Sequence, residues 1–209
     1  MLIGIFGEEF GYNMGNLKTY TMTWNLYLDY MNGMDIYANY DLKFKHKKIH
    51  GFSELLAILS EVENCSIALD ELHVFMDAYS GVSKKSGTWY LKEFGRQTRK
   101  RGVKVYLTAQ CYMDIHRSIR RILLKAWETK KFDLNGAPCY DDQCHQPHIL
   151  RILDIKSTVE KFYYTQPEIY EMYDTNQIIQ WEDDSDEKEV KPKRTTTRRK
   201  IKSDNYDEE

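Results

Sequence analysis

The sequence contains no apolar run long enough to cross a bilayer, and proline and cysteine are scarce. Charged residues make up 30% of the 209 positions, and no stretch approaches the roughly 18 apolar residues of a membrane span. The four cysteines are too few for the disulfide framework of a small secreted protein. The first residues also lack the basic and apolar pattern of a secretion signal. We therefore expect a protein that works inside a cell and has no membrane span.

Short apolar runs alternate with segments of helical periodicity along most of the chain. Leu2 to Phe6, Cys65 to Leu69 and Val103 to Thr108 have the form of strands buried on both faces of a sheet. Helical connections between such strands imply parallel pairing. The sequence therefore predicts an α/β fold with a central, mostly parallel sheet flanked by helices. The remaining predicted elements are helices at 18–30, 52–62, 89–101, 114–124 and 167–173 and strands at 35–40, 127–132 and 149–155.

The composition changes near residue 182. From Glu182 onward the chain consists of charged residues and threonine with almost no apolar content, which is typical of a disordered segment. We expect one domain over residues 1–181 and a flexible, charged tail over 182–209. Lysine and arginine are dense from Lys191 to Lys202, and this part of the tail is a candidate electrostatic anchor for DNA.

Three polar groups follow predicted strands, at the edge where ligands bind in parallel sheets. They are Lys18 with Thr19, Asp70 with Glu71, and Gln110. A nucleoside triphosphatase needs a lysine at the phosphates, a hydroxyl and a carboxylate for Mg²⁺, and a group that activates water. In this interpretation Lys18 contacts the phosphates, and Thr19 and Asp70 hold Mg²⁺. Glu71 activates the attacking water, and Gln110 senses the γ-phosphate.

The segment GYNMGNLKT has the layout of a phosphate-binding loop, because it lies between a predicted strand and a predicted helix. The usual pattern, G-x-x-x-x-G-K-[ST], requires glycine at the two places that Tyr12 and Leu17 hold here. Two interpretations stay open, a nucleotide site whose loop has diverged and a turn before an ordinary helix. The candidate nucleotide-binding residues are Gly11, Gly15, Asn16, Leu17, Lys18, Thr19 and Tyr20.

The ordered set of segments resembles the FtsK–HerA superfamily of P-loop DNA-translocating ATPases. The segments are the first strand with its glycine loop, the helix TYTMTW, the strand end IYANY, the run IALDELH and the segment RKRGVKVYLTAQ. Within that superfamily the chain is most similar to the small genome-packaging ATPases of archaeal viruses and to the Zot-like ATPases of phage morphogenesis. The likeness covers Leu2 to Arg121.

This resemblance implies a RecA-like P-loop NTPase core that uses ATP and Mg²⁺, with the Gln110 strand between the two motif strands. It implies a homo-oligomeric ring in which Arg99, or Arg96 as second choice, completes the neighbouring subunit's nucleotide site. The implied function is ATP-driven translocation of double-stranded DNA in viral genome packaging. Capsid or portal-like virion proteins are implied partners, and the implied locations are the host cytoplasm and the virion.

The glycine loop departs from the pattern of this superfamily, G-x-x-G-x-G-K-[ST]. Gly7 comes five residues too early, Gly15 holds the middle place, and Leu17 replaces the last glycine. Gly11 stands in for the first glycine if the loop is one residue longer. A Cβ at position 17 hinders backbone dihedrals that glycine adopts easily. We therefore expect nucleotide binding and do not expect rapid hydrolysis.

Two other functions are compatible with the sequence. One is a virion morphogenesis or structural protein that retains the P-loop fold with weak or no ATP turnover. The other is a DNA-binding factor that needs no nucleotide and uses the basic tail. The loop from Lys43 to Lys48 and the pair Arg117 and Arg120 are further candidates for phosphate contacts, although a solvated surface also explains each of them.

Four potential zinc ligands occur close together, in the order C-x4-C-H-x2-H. They are Cys139, Cys144, His145 and His148. The spacing does not match a common zinc finger, and the adjacent Cys144 and His145 would have difficulty sharing one tetrahedral ion. The sequence therefore favours a hairpin loop without zinc.

Overall fold

The computed structural model describes residues 1–7, 16–72, 87–141, 144, 146–174 and 177, with the backbone alone at 52, 87–90 and 93. Strands and helices alternate through the first two thirds of these residues. The strands are β1 (Leu2–Phe6), β2 (Asp35–Ala38), β3 (Lys47–Lys48), β4 (Cys65–Leu69), β5 (Lys104–Ala109), β6 (Lys125–Phe132), β7 (Ile149–Asp154) and β8 (Val159–Tyr164). The helices are α1 (Lys18–Met31), α2 (Phe52–Glu61), α3 (Gly87–Gln97), α4 (Arg117–Ile122) and α5 (Pro167–Tyr170).

These strands form one sheet in the order β3-β2-β4-β5-β1-β6-β7-β8. The strands from β3 to β6 pair in parallel, and β7 and β8 extend the sheet as antiparallel neighbours. The predicted α/β fold with a mostly parallel sheet is confirmed. The strand that precedes Gln110, β5, lies between β1 and β4, as the resemblance implied.

The central strands separate two hydrophobic cores. All five residues of β1 are buried: Leu2 and Phe6 belong to the core that α2, α3 and α4 cover, whereas Ile3 and Ile5 belong to the core beneath α1 and α5. This division follows from the alternation of side chains across a strand. A strand buried on both faces is apolar at most positions, and this explains the nearly continuous apolar runs in the sequence.

A buried carboxylate fastens the far end of α1 to the sheet. Asp29 accepts hydrogen bonds from Ser66 Oγ at 2.6 Å and from the Tyr106 hydroxyl at 3.0 Å, and it forms an ion pair with Lys104. Ser66 lies in β4, and Tyr106 and Lys104 lie in β5. The helix that begins with Lys18 is therefore held against the two strands that directly precede Asp70 and Gln110.

Several predicted element boundaries differ from those of the structure. The predicted helix at 114–124 is a 3₁₀ turn at Tyr112–Asp114 followed by α4, because His116 is extended and its Nδ1 accepts a hydrogen bond from the Ser118 amide. The helix predicted at 89–101 ends at Gln97 and is followed by turns through Gly102, which has a φ of 67°.

Two strands of the structure, β3 and β8, were not predicted from the sequence. The strand β3 has only two residues and lies in the predicted basic loop. The strand β8 is largely exposed, so its sequence lacks the apolar pattern that marks a buried strand. The predicted tail at 182–209 lies outside the described residues. Within the described ranges, no helix is both long and apolar enough to span a bilayer.

Candidate nucleotide-binding site

The carboxyl ends of β1, β4 and β5 lie side by side at one edge of the sheet. Phe6 pairs with Ala109, and Leu69 pairs with Leu107, so the residues that follow these strands come close together. The Gly7 amide donates to the Gln110 carbonyl at 3.0 Å and extends the pairing of β1 and β5 by one step. Parallel α/β sheets bind ligands at this edge.

Lys18 and Gln110 are in direct contact. The Lys18 Nζ donates a hydrogen bond to Gln110 Oε1 at 3.0 Å. Burial lowers the pKa of the Lys18 ammonium, and the nearby carboxylates of Asp70 and Glu71 oppose that shift. The first residue of α1 is thus joined by its side chain to the residue after β5, and its charge lies near the two acids after β4.

Asp70 is buried and accepts hydrogen bonds on both carboxylate oxygens. Thr19 Oγ1 donates to Asp70 Oδ2 at 2.9 Å, and Thr108 Oγ1 donates to Asp70 Oδ1. Burial raises the pKa of the Asp70 carboxyl, and the Thr108 and Thr19 hydroxyls oppose that shift. Two oxygens on adjacent corners of a magnesium octahedron are about 3 Å apart. The Thr19 and Asp70 oxygens therefore fit two cis ligands of Mg²⁺.

Two polar residues fix the backbone around Asp70. Asn39, just after β2, donates from Nδ2 to the Asp70 carbonyl at 2.9 Å and accepts from the Asp70 amide at 2.8 Å. Thr108 accepts from the Glu71 amide at 2.8 Å with the same oxygen that donates to Asp70. Glu71 has a left-handed backbone with a φ of 51°, which is strained for a residue with a side chain. These contacts set the position of both acids.

The amino terminus of α1 has features that favour an anion. Its N-cap residue, Leu17, makes no side-chain hydrogen bond to the helix, and the first turn contains no acidic residue. The amides of a first helical turn have no partners within the helix, and the helix dipole favours negative charge there. The predicted lysine, Lys18, is the first residue of this turn. The same end of α1 therefore supplies a cation, amide donors and the Thr19 hydroxyl.

Leu17 has the backbone conformation that a glycine would adopt. Its φ is 59° and its ψ is 28°, in the left-handed region. The side chain is buried in the core beneath α1, with 8% of its surface exposed. Burial of a leucine contributes about 1.5–3 kcal/mol, which offsets a left-handed penalty of about 1–2 kcal/mol. The leucine at the place of the last glycine thus preserves the turn that precedes α1.

We expect Leu17→Gly to be more stable than Leu17→Ala by about 1 kcal/mol. Both variants remove the buried isobutyl group, but only alanine retains the Cβ that a positive φ disfavours. The free energy of unfolding from urea titrations provides the comparison. Leu28 is a matched control within α1, because there alanine should be more stable than glycine by about 1 kcal/mol. The same order of stability at both positions would contradict the left-handed conformation of Leu17.

Gly7 and Asn16 complete the wall of the site. A Cβ on Gly7 would lie 3.0 Å from the Gln110 carbonyl oxygen and 3.1 Å from Asn16 Nδ2, so a side chain would crowd both groups. Asn16 Nδ2 is buried and has no hydrogen-bond partner among the described residues. Buried amide donors are normally paired. The Asn16 donor and the Lys18 ammonium both lie within 4 Å of the place that a Gly7 Cβ would take, so both face the same part of this edge.

The structure brings together some of the predicted site residues. Lys18, Thr19, Asp70 and Gln110 are linked by hydrogen bonds at one edge, and Glu71 is next to Asp70. The Tyr20 side chain is instead buried, and its hydroxyl accepts from the Gln166 amide at 2.7 Å. Any contact of Tyr20 with nucleotide would therefore involve its backbone amide. The predicted Gly11 and Gly15 lie outside the described residues.

The two predicted arginines are not part of this cluster. Arg96 lies in the last turn of α3, Arg99 lies between α3 and the amino end of β5, and both are exposed. The neighbouring Arg101 carbonyl accepts from the Asn64 amide, just before β4, at 2.9 Å. Arg99 therefore lies toward the edge of the sheet opposite Asp70. Its predicted role at another subunit's site stays a prediction.

Sequence reasoning missed three residues of the site: Asn39, Thr108 and Gly7. Each follows or ends a strand at the same edge as Asp70. Thr108 was a recognisable signal, because it is a polar residue within an apolar strand two residues before Gln110. Asn39 belongs to the strand end IYANY, and nothing in its local sequence indicates that it binds the Asp70 backbone.

No family model matches the sequence, and no curated protein matches it. The N-terminal domain of zonular occludens toxin from Neisseria meningitidis has a similar structure, with a TM-score of 0.58 and 16% identity over 83% of this chain and 98% of that one. The genome packaging NTPase B204 from Sulfolobus turreted icosahedral virus 2, solved in complex with ATP-gammaS, has a TM-score of 0.53 and 10% identity over 78% of this chain and 96% of its own. The chain has a RecA-like P-loop NTPase fold. The resemblance to packaging and Zot-like ATPases is thus confirmed at the level of the fold.

Proposed function

We propose that this protein is an ATPase that drives the packaging of double-stranded viral DNA. The observation that carries the proposal is the convergence of Lys18, Thr19 and Asp70 at the carboxyl edge of the sheet, at the amino terminus of α1. The similarity of the fold to a viral genome packaging NTPase supports the same conclusion. We propose nucleotide binding at this edge, with the triphosphate over the first turn of α1.

Each polar group at the site has a role in this proposal. The α1 amides and the Lys18 ammonium bind the phosphates, and the Asn16 amide donor is near enough to contribute. Thr19 and Asp70 hold Mg²⁺, which neutralises charge on the phosphates when bound. Asp70 forms no salt bridge within the described ranges, so a cation at this point would also compensate its buried charge.

Glu71 and Gln110 act on the reaction in different ways. Glu71 orients the attacking water and accepts its proton, a role that requires its carboxylate to face the γ-phosphate. Gln110 senses the γ-phosphate through Lys18. An ammonium has three donors, so Lys18 can bind Gln110 and a phosphate oxygen at the same time. Loss of the γ-phosphate would therefore change the Lys18–Gln110 contact.

Assembly into a ring supplies the remaining charge. Arg99, with Arg96 as second choice, stabilises the transferred phosphoryl group in the site of the next subunit. Arg99 is exposed, and it lies near the amino ends of β4 and β5, whereas Asp70 of the same subunit lies at the carboxyl ends. Both facts favour a role in trans. Double-stranded DNA binds within the ring, and capsid or portal-like virion proteins are its further partners.

Steady-state ATPase activity with and without double-stranded DNA tests the proposal. We expect Mg²⁺-dependent hydrolysis that double-stranded DNA stimulates more than single-stranded DNA does. Deletion of residues 182–209 should leave the ATPase activity in place. Loss of all DNA binding on this deletion, together with no turnover, would instead indicate the DNA-binding factor.

A second candidate function is supported by Leu17. A virion morphogenesis protein with this fold would bind nucleotide with weak or no turnover, and the missing glycine at position 17 is the sequence feature that favours it. Nucleotide binding without hydrolysis, unchanged by DNA, is the result expected for this alternative.

A further inference from the structure

We propose that Cys139, Cys144 and His148 bind a zinc ion. One ligand atom from each residue lies within 4.8 Å of the other two. The Cys139 Sγ and His148 Nε2 atoms are 3.3 Å apart. Two thiolates and an imidazole are ligands that zinc prefers, and sulfur and nitrogen atoms on one tetrahedral zinc are about 3.5 Å apart. The cluster is outside the nucleotide site, and its assignment does not rest on the proposed function.

The pairing of β6 with β7 brings these residues together. Phe132 pairs with Ile149, so the residue before Ile149, His148, lies at the open end of this strand pair. After β6 the chain turns back through Gly136, which has a φ of 85°, and the Cys139 amide donates to the Lys131 carbonyl at 3.0 Å. Cys139 therefore lies beside the end of β6, within reach of His148.

The imidazole of His148 is held in place by its surroundings. Only 1% of the residue is exposed. Its amide donates to Thr165 Oγ1 at 2.9 Å, and its carbonyl accepts from the Thr165 amide at 2.8 Å. Nε2 faces the Cys139 sulfur, and Nδ1 is buried with no hydrogen-bond partner among the described residues. A buried imidazole directed at two thiols is a preformed ligand for a metal.

One of the two sequence arguments against zinc, the adjacency of Cys144 and His145, applies only if all four candidate residues bind one ion. The proposed site uses only three of them: Cys144 contributes its sulfur, and the adjacent His145, which lies outside the described residues, is not a ligand. Zinc commonly accepts three protein ligands and a water molecule. The difficulty of placing two adjacent ligands on one tetrahedron therefore does not arise.

The proposed ion would also support the start of α1. Thr165 is bonded to His148, and the amide of the next residue, Gln166, donates to the Tyr20 hydroxyl at 2.7 Å. The Tyr20 ring packs on Tyr170 with their centroids 4.7 Å apart. Tyr20 follows Thr19 in the first turn of α1, so a metal that fixes His148 stabilises the segment on which this turn rests.

Metal analysis of the full chain tests the proposal. The protein should be purified without a histidine tag, supplied with zinc chloride, dialysed and analysed by plasma mass spectrometry. We expect one zinc ion per chain in the wild type and at least about a tenfold loss of affinity in Cys139→Ser, Cys144→Ser and His148→Ala. Cys111→Ser and His50→Ala, which change the same residue types elsewhere, should retain the ion. Removal of zinc by a chelator should lower Tm by about 5–10 °C.

A cobalt spectrum keeps the test decisive if a variant fails to fold. Co²⁺ bound to the wild type should give the visible bands of a tetrahedral thiolate site and be displaced by zinc. Absence of bound zinc in the wild type, or zinc retained in both Cys139→Ser and Cys144→Ser, would overturn the proposal. A Cys139–Cys144 disulfide in freshly purified protein, detected by alkylation and mass spectrometry, would also overturn it.

Discussion

Replacing Lys18 with alanine is expected to weaken the binding of Mg²⁺-ATP by about 100-fold, the upper limit for one ammonium-to-phosphate contact of about 3 kcal/mol. Lys18 is the first residue of α1, and its ammonium is held 3.0 Å from Gln110 Oε1 at the edge where Asp70 lies. Its position is thus fixed before nucleotide arrives, and little conformational entropy is lost on binding. Isothermal titration calorimetry of wild type and variant measures the effect.

Two further variants test whether the effect is specific to the Lys18 ammonium. Lys18→Arg retains the positive charge, but its guanidinium differs in size and geometry from the ammonium, so it should recover only part of the affinity. Lys45→Ala removes an exposed lysine from the basic loop and should bind as the wild type does. Unchanged affinity in a folded Lys18→Ala protein, or an equal loss in Lys45→Ala, would refute the assignment of Lys18.

The central part of the fold could be predicted because burial on both faces leaves a mark in the sequence. The runs at β1, β4 and β5 are short and apolar at nearly every position, which is typical of strands inside a parallel sheet. The strand β8 is exposed, with Phe162 and Tyr164 facing solvent, and it has no such pattern. Its pairing with β7 is decided by the turn at 155–158 and by neighbouring strands, not by its own residues.

The principal residues of the site could be predicted for a related reason. Parallel strands end at a common edge, so the polar residues that directly follow them lie close together there, independently of the conformations of the loops. This geometry brought Asp70 and Gln110 to Lys18. The partners of Asp70 could not be found in this way. Asn39 bonds to the Asp70 backbone, Thr108 bonds to the Asp70 carboxylate and the Glu71 amide, and these contacts depend on the exact register of β2, β4 and β5.

The proposed zinc site rests on strand pairing and not on the spacing of its ligands along the chain. That spacing disfavours zinc, because it matches no common zinc finger and because the adjacent Cys144 and His145 would have difficulty sharing one tetrahedral ion. The structure folds this segment so that Cys139 lies beside β6 and His148 precedes β7. The distance between two such residues is determined by strand pairing and a tight turn, and neither can be read from the number of intervening residues.

Replacing Glu71 with glutamine is expected to lower kcat for ATP hydrolysis by about 10²- to 10⁴-fold while leaving Mg²⁺-ATP affinity nearly unchanged. The amide has the size of the carboxylate but accepts no proton from water. Glutamine should also keep the left-handed backbone, since the Glu71 amide remains bonded to Thr108 Oγ1 at 2.8 Å. Steady-state kinetics and calorimetry on the same preparations measure the two quantities.

Asp70→Asn distinguishes the two adjacent acids. Asp70 accepts hydrogen bonds on both oxygens, whereas asparagine would place an NH₂ group against the hydroxyl of Thr19 or Thr108 and remove the charge that faces Mg²⁺. This variant should lose the magnesium dependence of nucleotide binding, and Glu71→Gln should retain it. Glu61→Gln, an exposed change at the end of α2, is the control for loss of one carboxylate and should keep full kcat. If Glu71→Gln hydrolyses ATP as fast as Glu61→Gln does, the water-activating group lies elsewhere at this edge.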